Sequence, residues 1–132
     1  MADSTNRFFD SWTANERAAL ERHLKPIELQ QHYVLFDIHE AVSKIVFPTS
    51  AVFSLVLPLS TGEVVETAMV GRDGAIGAAA VLNGRVSLNC AVVQISGQAL
   101  QCTVEHLKEA GKAQPTIHQR LSAHEQILFA QA

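Results

Sequence analysis

Residues 71–84 read Gly-Arg-Asp-Gly-Ala-Ile-Gly-Ala-Ala-Ala-Val-Leu-Asn-Gly, with Gly71, Gly74 and Gly77 at three-residue spacing ahead of an alanine-rich turn. Glycine lets a backbone approach a ligand closely, and a helix start presents free N–H groups with partial positive charge. That is the outline of an anion cradle. After Arg72 and Asp73, however, no charged side chain occurs until Arg85. The pattern predicts a turn leading into a short helix over 75–82. It is neither a dinucleotide fingerprint nor a P-loop, because no Gly-Lys-Ser/Thr follows. Two readings stand: a structural turn, and a site for an anion or small ligand.

The chain around this stretch has 132 residues, the length of one domain, 1–132. Apolar residues make up 48% and charged ones 17%, which is enough to build a core and excludes a disordered tail. The net charge of −3, with Lys and Arg scattered, lacks the basic footprint of a nucleic-acid-binding surface. No apolar run approaches membrane-spanning length, so no membrane partner is expected. The N-terminus, MADSTNRFFDSW, has no basic region followed by an apolar one, so a cytoplasmic protein is expected rather than a secreted one. Cys90 and Cys102 follow no pairing pattern and read as reduced, buried thiols.

Working upstream, Thr13 followed by Glu16 is a capping-box signature, and Trp12, Ala18, Leu20 and Leu24 supply an apolar face. A helix is expected over 8–25, stopped by Pro26. Residues 27–104 switch to short apolar runs punctuated by turn residues, such as Ser60-Thr61-Gly62, with Pro48 and Pro58 at strand edges. Downstream of the glycines, "CAVVQI" and "ALQCTV" are split by Ser96-Gly97-Gln98, which reads as a hairpin turn. Short strands with frequent turns predict an antiparallel roll or barrel. A last helix is expected over 113–132, with Pro115 in its first turn. Ile117, Leu121, His124 and Leu128 recur at helical spacing, with Ile127 beside them. That seam either packs on the roll or pairs with a second copy. The apolar pattern runs to the end without a C-cap glycine, so the helix is expected to be the start of a longer one.

This order resembles the cyclic-nucleotide-binding sensor domain, and in particular the N-terminal domain of bacterial Crp/Fnr-type regulators. The resemblance spans roughly residues 17–130 and is most evident in "IVFPTSAVFSLV" (45–56) and "VETAMVGRDGAIG" (65–77). It implies a mainly β fold: a β-roll of jelly-roll type, with an N-terminal helix and a long C-terminal helix. It also implies a phosphate cassette on the short helix. There a Gly-Glu pair starts the helix and an Arg-Ser or Arg-Thr pair follows on the next strand. Arginine suits this task because its planar fork matches phosphate geometry.

Carried over, the cassette glycine falls on Gly77, the glutamate position on Ala78, and the Arg and Ser positions on Leu88 and Asn89. Gly74, Ile76 and Ala79 complete the candidate pocket. The backbone of a cradle is kept and its charged side chains are replaced. Each lost charge-assisted bond is worth about 1.5–3 kcal/mol, so losing two weakens cyclic AMP binding by roughly a few hundredfold or more. Ordinary cyclic AMP regulation is therefore not expected, and no cofactor is assigned.

The resemblance implies a non-catalytic, effector-sensing domain for an unknown small molecule. It implies a homodimer built on the C-terminal helix through Ile117, Leu121, His124, Ile127 and Leu128. DNA would be bound only through a winged helix-turn-helix domain C-terminal to this sensor, which the sequence lacks. An alternative is a ligand-free β-roll interaction module, with its interior filled by Ile76, Val81, Leu82 and Leu88. A more distant one is a cupin-type metalloenzyme. Cupins need a close His-x-His pair, a following Glu and a third His. Here His32 and His39-Glu40 lack that pairing, and His106, His118 and His124 fall in the helical tail, so no metal is expected. By the resemblance, His39 occupies a loop where relatives often carry glycine. Ser54 and Ser60 lack a nucleophile elbow, and no cysteine precedes Cys90 to hold an iron–sulfur cluster.

Overall fold

The computed structural model describes residues 5–83, 87 and 89–129. Helix α1 (Arg7–Asp10) is capped by Asn6, whose side chain accepts from the Phe9 N–H at 2.8 Å. Helix α2 (Ala14–Glu21) opens on a complete capping box. Thr13 Oγ1 accepts from the Glu16 N–H at 3.2 Å, and the Glu16 carboxylate accepts from the Thr13 N–H at 2.8 Å. The single helix expected over 8–25 is thus two helices. Thr13 is extended (φ −67°, ψ 163°), and an extended N-cap cannot continue the turn before it. The second helix ends at Glu21, and Pro26 lies inside a strand instead of stopping a helix.

Seven strands follow among the described residues: β1 (Lys25–Leu29), β2 (Val34–Phe36), β3 (Lys44–Pro48), β4 (Val52–Pro58), β5 (Val64–Val70), β6 (Cys90–Ile95) and β7 (Gly97–Thr103). They form two antiparallel sheets, β1-β7-β3 and β2-β6-β4-β5. Pro26 is tolerated because β1 is an edge strand, and Pro48 and Pro58 close β3 and β4. β4 and β5 form a hairpin whose turn includes Gly62 at φ +92°.

The expected hairpin at Ser96-Gly97-Gln98 does not form. β6 pairs with β2 and β4, while β7 pairs with β1 and β3, so Gly97 is where the chain crosses from one sheet to the other. The crossing is tight: a Cβ on Gly97 would stand 2.5 Å from the Ala51 nitrogen. The N–H groups of Thr49, Ser50 and Ala51 all donate to the Gln98 carbonyl, at 3.0, 3.0 and 3.1 Å.

Helix α3 (Ala79–Asn83) is shorter than the expected 75–82, because Ala75 and Ile76 remain extended. Ile76 bridges Val46, donating its N–H at 2.8 Å and accepting at 3.0 Å. Helix α4 (Val104–Ala113) was not expected. Thr103 caps it, accepting from the His106 N–H at 3.1 Å, and Val104, Leu107, Ala110 and Gly111 turn inward. Helix α5 (Thr116–Phe129) completes the described chain.

Two apolar clusters result. One lies between the helices and β3 and includes Trp12, Leu20, Phe47, Leu107, Ile117 and Leu121. The other lies inside the roll and includes Phe36, Phe53, Leu55, Ile76, Val93 and Leu128. The mainly β roll with flanking helices is the fold expected from the sequence.

Candidate ligand site and the C-terminal helix

The glycine-rich stretch is built as a turn anchored at both ends. Asn6, 1% exposed, donates its side-chain amide to the Pro48 carbonyl at 2.7 Å and to the Gly74 carbonyl at 2.9 Å. The Gly74 N–H closes the turn on the Gly71 carbonyl at 3.0 Å. Ile76 then locks onto Val46, and the backbone reverses at Gly77. Gly77 has φ +95°, and a Cβ there would stand 2.7 Å from the Lys44 carbonyl. Two independent requirements, handedness and space, therefore select glycine at this position.

Ala78 is fully buried in the helix-side cluster, and Ala79 is the first residue of α3. A carboxylate at 78 would enter an apolar environment and carry a desolvation cost. Asn89 is turned toward β5, donating its side-chain amide to Thr67 Oγ1 at 3.3 Å, while its N–H donates to Ser87 Oγ at 3.1 Å. Leu88 and Arg85 lie outside the described residues. Among the proposed fillers of the roll, Ile76 is 1% exposed in the interior, whereas Val81 and Leu82 pack with the helix-side cluster. Phe53, Leu55, Ala68, Ala91 and, from α5, Leu128 share the interior with Ile76.

The seam on α5 divides by depth. Ile117 and Leu121 are fully buried in the helix-side cluster, and Leu128 is buried in the roll. His124 faces the glycine-rich turn: its Nε2 accepts from the Ala75 N–H at 3.1 Å. Ile127 is 68% exposed. Ile117, Leu121 and Leu128 are thus core packing within one chain, and Ile127 alone of the five faces solvent. Gln119, Ser122, Ala123 and Gln126 are exposed alongside it. Grooves of about 550 and 560 Å³ lie on either side of this ridge, one bordered by Phe8, Asp73 and Arg120, the other by Leu82 and His118.

Glu16 has a second role that the sequence did not disclose. It is 2% exposed, and beyond the capping box its carboxylate accepts from the Thr116 hydroxyl and from Arg120 Nε, the latter at 2.6 Å. Burial alone would raise its pKa. The hydrogen bonds from Thr116 and Thr13, with the Arg120 charge, outweigh that and hold the carboxyl at about 2. The capping signature marked where α2 starts and carried no sign of its partner on α5.

The remaining candidates are dispersed. Ser54 donates to the Glu66 carboxylate at 2.5 Å. His23 stacks on His106 with centroids 3.9 Å apart, and its pKa is lowered by desolvation, then by His106 and Arg22. His32 (φ +78°) and His39 (φ +67°) adopt the left-handed conformation, so His39 does occupy a backbone position suited to glycine. Among the described residues no group of three or more His, Cys, Asp or Glu is arranged to hold a metal ion. Burial pushes the Cys102 thiol up to about 12; Cys90 is raised by desolvation and then by the neighbouring Asp37.

No family model matches this chain. No curated protein matches it either. Solved structures do. Catabolite activator protein from Thermus thermophilus superposes with a TM-score of 0.76 at 15% identity, over 92% of this chain and 57% of that one. The N-terminal domain of a transcriptional regulator from Streptomyces coelicolor A3(2) gives 0.69 at 16% identity, over 92% and 85%. The regulatory subunit of a cAMP-independent protein kinase A from Trypanosoma brucei gives 0.74 at 13% identity, over 91% and 44%. A triple-substituted form of that subunit, one change placing arginine for threonine, is bound to cAMP in its A site and gives 0.69 at 13% identity, over 96% and 49%. The chain thus has the fold of a cyclic-nucleotide-binding domain. It spans about half the length of the kinase subunit and of the activator protein.

Proposed function

We propose that this chain is the effector-sensing domain of a transcription regulator, non-catalytic, cytoplasmic and unresponsive to cyclic AMP through the phosphate cassette. One observation carries the reading. Gly77 has a positive φ and a closeness to the Lys44 carbonyl that only glycine accepts, while the residue after it, Ala78, is an apolar side chain buried at 0% exposure. A fold maintained around an altered site fits a domain that still transmits a signal from a different source. The trypanosomal relative, cAMP-independent as it occurs and bound to cAMP once altered, agrees with a site whose side chains decide the response. No described helix is long and apolar enough to cross a membrane.

Dimerisation belongs to the same reading, through the outer face of α5. Gln119, Ser122, Ala123, Gln126 and Ile127 form an uncharged ridge between two grooves of similar volume. A ridge flanked by grooves is the shape in which two copies of a helix interlock about a two-fold axis. DNA recognition would reside in a domain beyond this one.

The test is calorimetric titration of the purified chain with cyclic AMP and cyclic GMP at moderate salt. No binding in the micromolar range is expected. Micromolar binding would overturn the reading of Ala78, Leu88 and Asn89. The second reading, a ligand-free interaction module, draws on the roll interior being occupied by Ile76, Phe53 and Leu128. It predicts a dimer of unchanged affinity across any panel of small molecules.

A further inference from the structure

We propose that His124 is a pH-operated latch that fastens α5 to the glycine-rich turn when neutral and releases it when protonated. Its Nε2 accepts the Ala75 N–H at 3.1 Å, so that nitrogen holds a lone pair and not a proton. The ring proton is then on Nδ1, which faces Glu125 Oε2 at 3.1 Å. The ring is fitted to its place. A Cβ on Gly74 would stand 2.7 Å from Nε2, and the Phe8 ring covers the imidazole at 4.7 Å between centroids. Ala75 immediately precedes the Ile76–Val46 bridge and the reversal at Gly77, so the latch acts on the backbone that forms the cassette.

Protonation places an N–H on Nε2 directly against the Ala75 N–H. Two donors then face one another, and Ala75 loses its acceptor. The charged groups around the ring do not resolve this conflict. Glu125, on the same helix, reaches Nδ1. Asp73, from the turn, borders the same groove and is paired with Arg7 of α1 at 3.6 Å. Arg120, one turn earlier on α5, is held by Glu16 of α2. None of Glu125, Asp73, Arg7 and Arg120 accepts from the Ala75 N–H. Acid therefore draws the ring off the turn.

The mechanical consequence lies one helical turn further on. Among the described side chains of α5, Leu128 is the one seated in the roll interior. Releasing His124 removes the polar tie nearest to it, so the last turns of α5 are held in place at neutral pH and freed in acid. This device does not depend on whether an effector binds, and it stands apart from the cyclic-nucleotide reading.

The test uses amide exchange and ring-nitrogen NMR on the whole chain. Between about pH 7.5 and 5.5, protection of the Ala75 amide, corrected for intrinsic exchange, should fall about tenfold, roughly the loss of one hydrogen bond. His124→Gln, which offers a non-titrating acceptor, should remove that dependence. Protection unchanged with pH in the native chain, or the same loss in His124→Gln, overturns the proposal. Should the variant not fold, the native ring decides: an Nδ1–H tautomer at pH 7.5 is expected, and an Nε2–H tautomer overturns it.

Discussion

Glu16 and Arg120 are 104 positions apart in sequence and 2.6 Å apart in space. The same carboxylate binds the Thr13 N–H and the Thr116 hydroxyl, so one side chain caps α2 and fastens it to the first turns of α5. A buried carboxylate is stable only when its oxygens are fully engaged, and here both are.

Removing that charge should be costly. Glu16→Ala strands Arg120 and opens the cap. A loss near the lower end of the roughly 3–5 kcal/mol for a broken buried pair is expected, since Arg120 is 35% exposed. Urea denaturation at neutral pH measures it. The pH dependence has a definite sign. The carboxyl is lowered from 4.5 to about 2, so its stabilisation is complete above 4.5 and is lost as pH falls toward about 2. Native protein should lose stability more steeply across that window than Glu16→Gln; parallel curves would refute the assignment.

Gly62 and Gly77 offer a controlled comparison, because their φ values are +92° and +95°. Around Gly62 nothing lies within 4 Å of an added Cβ, whereas at Gly77 the Lys44 carbonyl is 2.7 Å away. Gly62→Ala should cost about 1–2 kcal/mol of backbone strain alone. Gly77→Ala should cost at least about 1 kcal/mol more, from overpacking. Equal melting temperatures would show that Lys44 moves aside freely.

Ile127 and Leu121 separate association from stability. Ile127→Glu should weaken self-association in sedimentation experiments and leave the melting temperature almost unchanged, because the side chain is 68% exposed. Leu121→Ala should instead cost about 2–5 kcal/mol of stability, its side chain being fully buried. Self-association indifferent to Ile127→Glu would remove the α5 ridge as an interface.

Neither thiol should react readily in the folded chain. With Cys102 at about 12, its thiolate is scarce at pH 8, and Cys90 is raised by burial and by Asp37. Timed alkylation read by mass spectrometry should label Cys102 more slowly than Cys90, and both far more slowly than in urea. Rapid labelling of Cys102 would contradict its burial.

What was legible in the sequence was local. The Thr13–Glu16 box marks a helix start from four residues, and the Gly62 turn is set by its own neighbours. Helix α4 left a readable trace as well: Thr103 as cap, then Val104, Leu107, Ala110 and Gly111 at helical spacing. The polar residues between them, and Gly111 within the helix, weakened that pattern. Pairing was not legible. Ser96-Gly97-Gln98 has the composition of a hairpin turn, and only the partners of the flanking strands make it a crossing between sheets. The α5 seam gives a face but not its occupant, which is why the resemblance assigns Ile117, Leu121 and Leu128 to a dimer interface although they are buried within one chain. At the candidate site, Gly77 declared the backbone. The apolar character of position 78 was equally plain, whereas the partners of Glu16 and His124, joined across the whole fold, gave no local sign.

The order of assembly follows from β7. It is the middle strand of its sheet, between β1 and β3, so Lys25 pairs with Gln101 and Lys44 with Thr103. That sheet cannot exist, even in part, until nearly the last strand has been synthesised. On a ribosome β1 waits for a strand made about 70 residues later, since Lys25 pairs with Gln101 and Leu29 with Gly97, and β3 waits for the same strand, pairing Lys44 with Thr103. Closing so long a loop is slow, and contacts of this range are associated with slow folding. The β4–β5 hairpin has no such delay and is the natural place for structure to begin, with β7 closing the roll at the end.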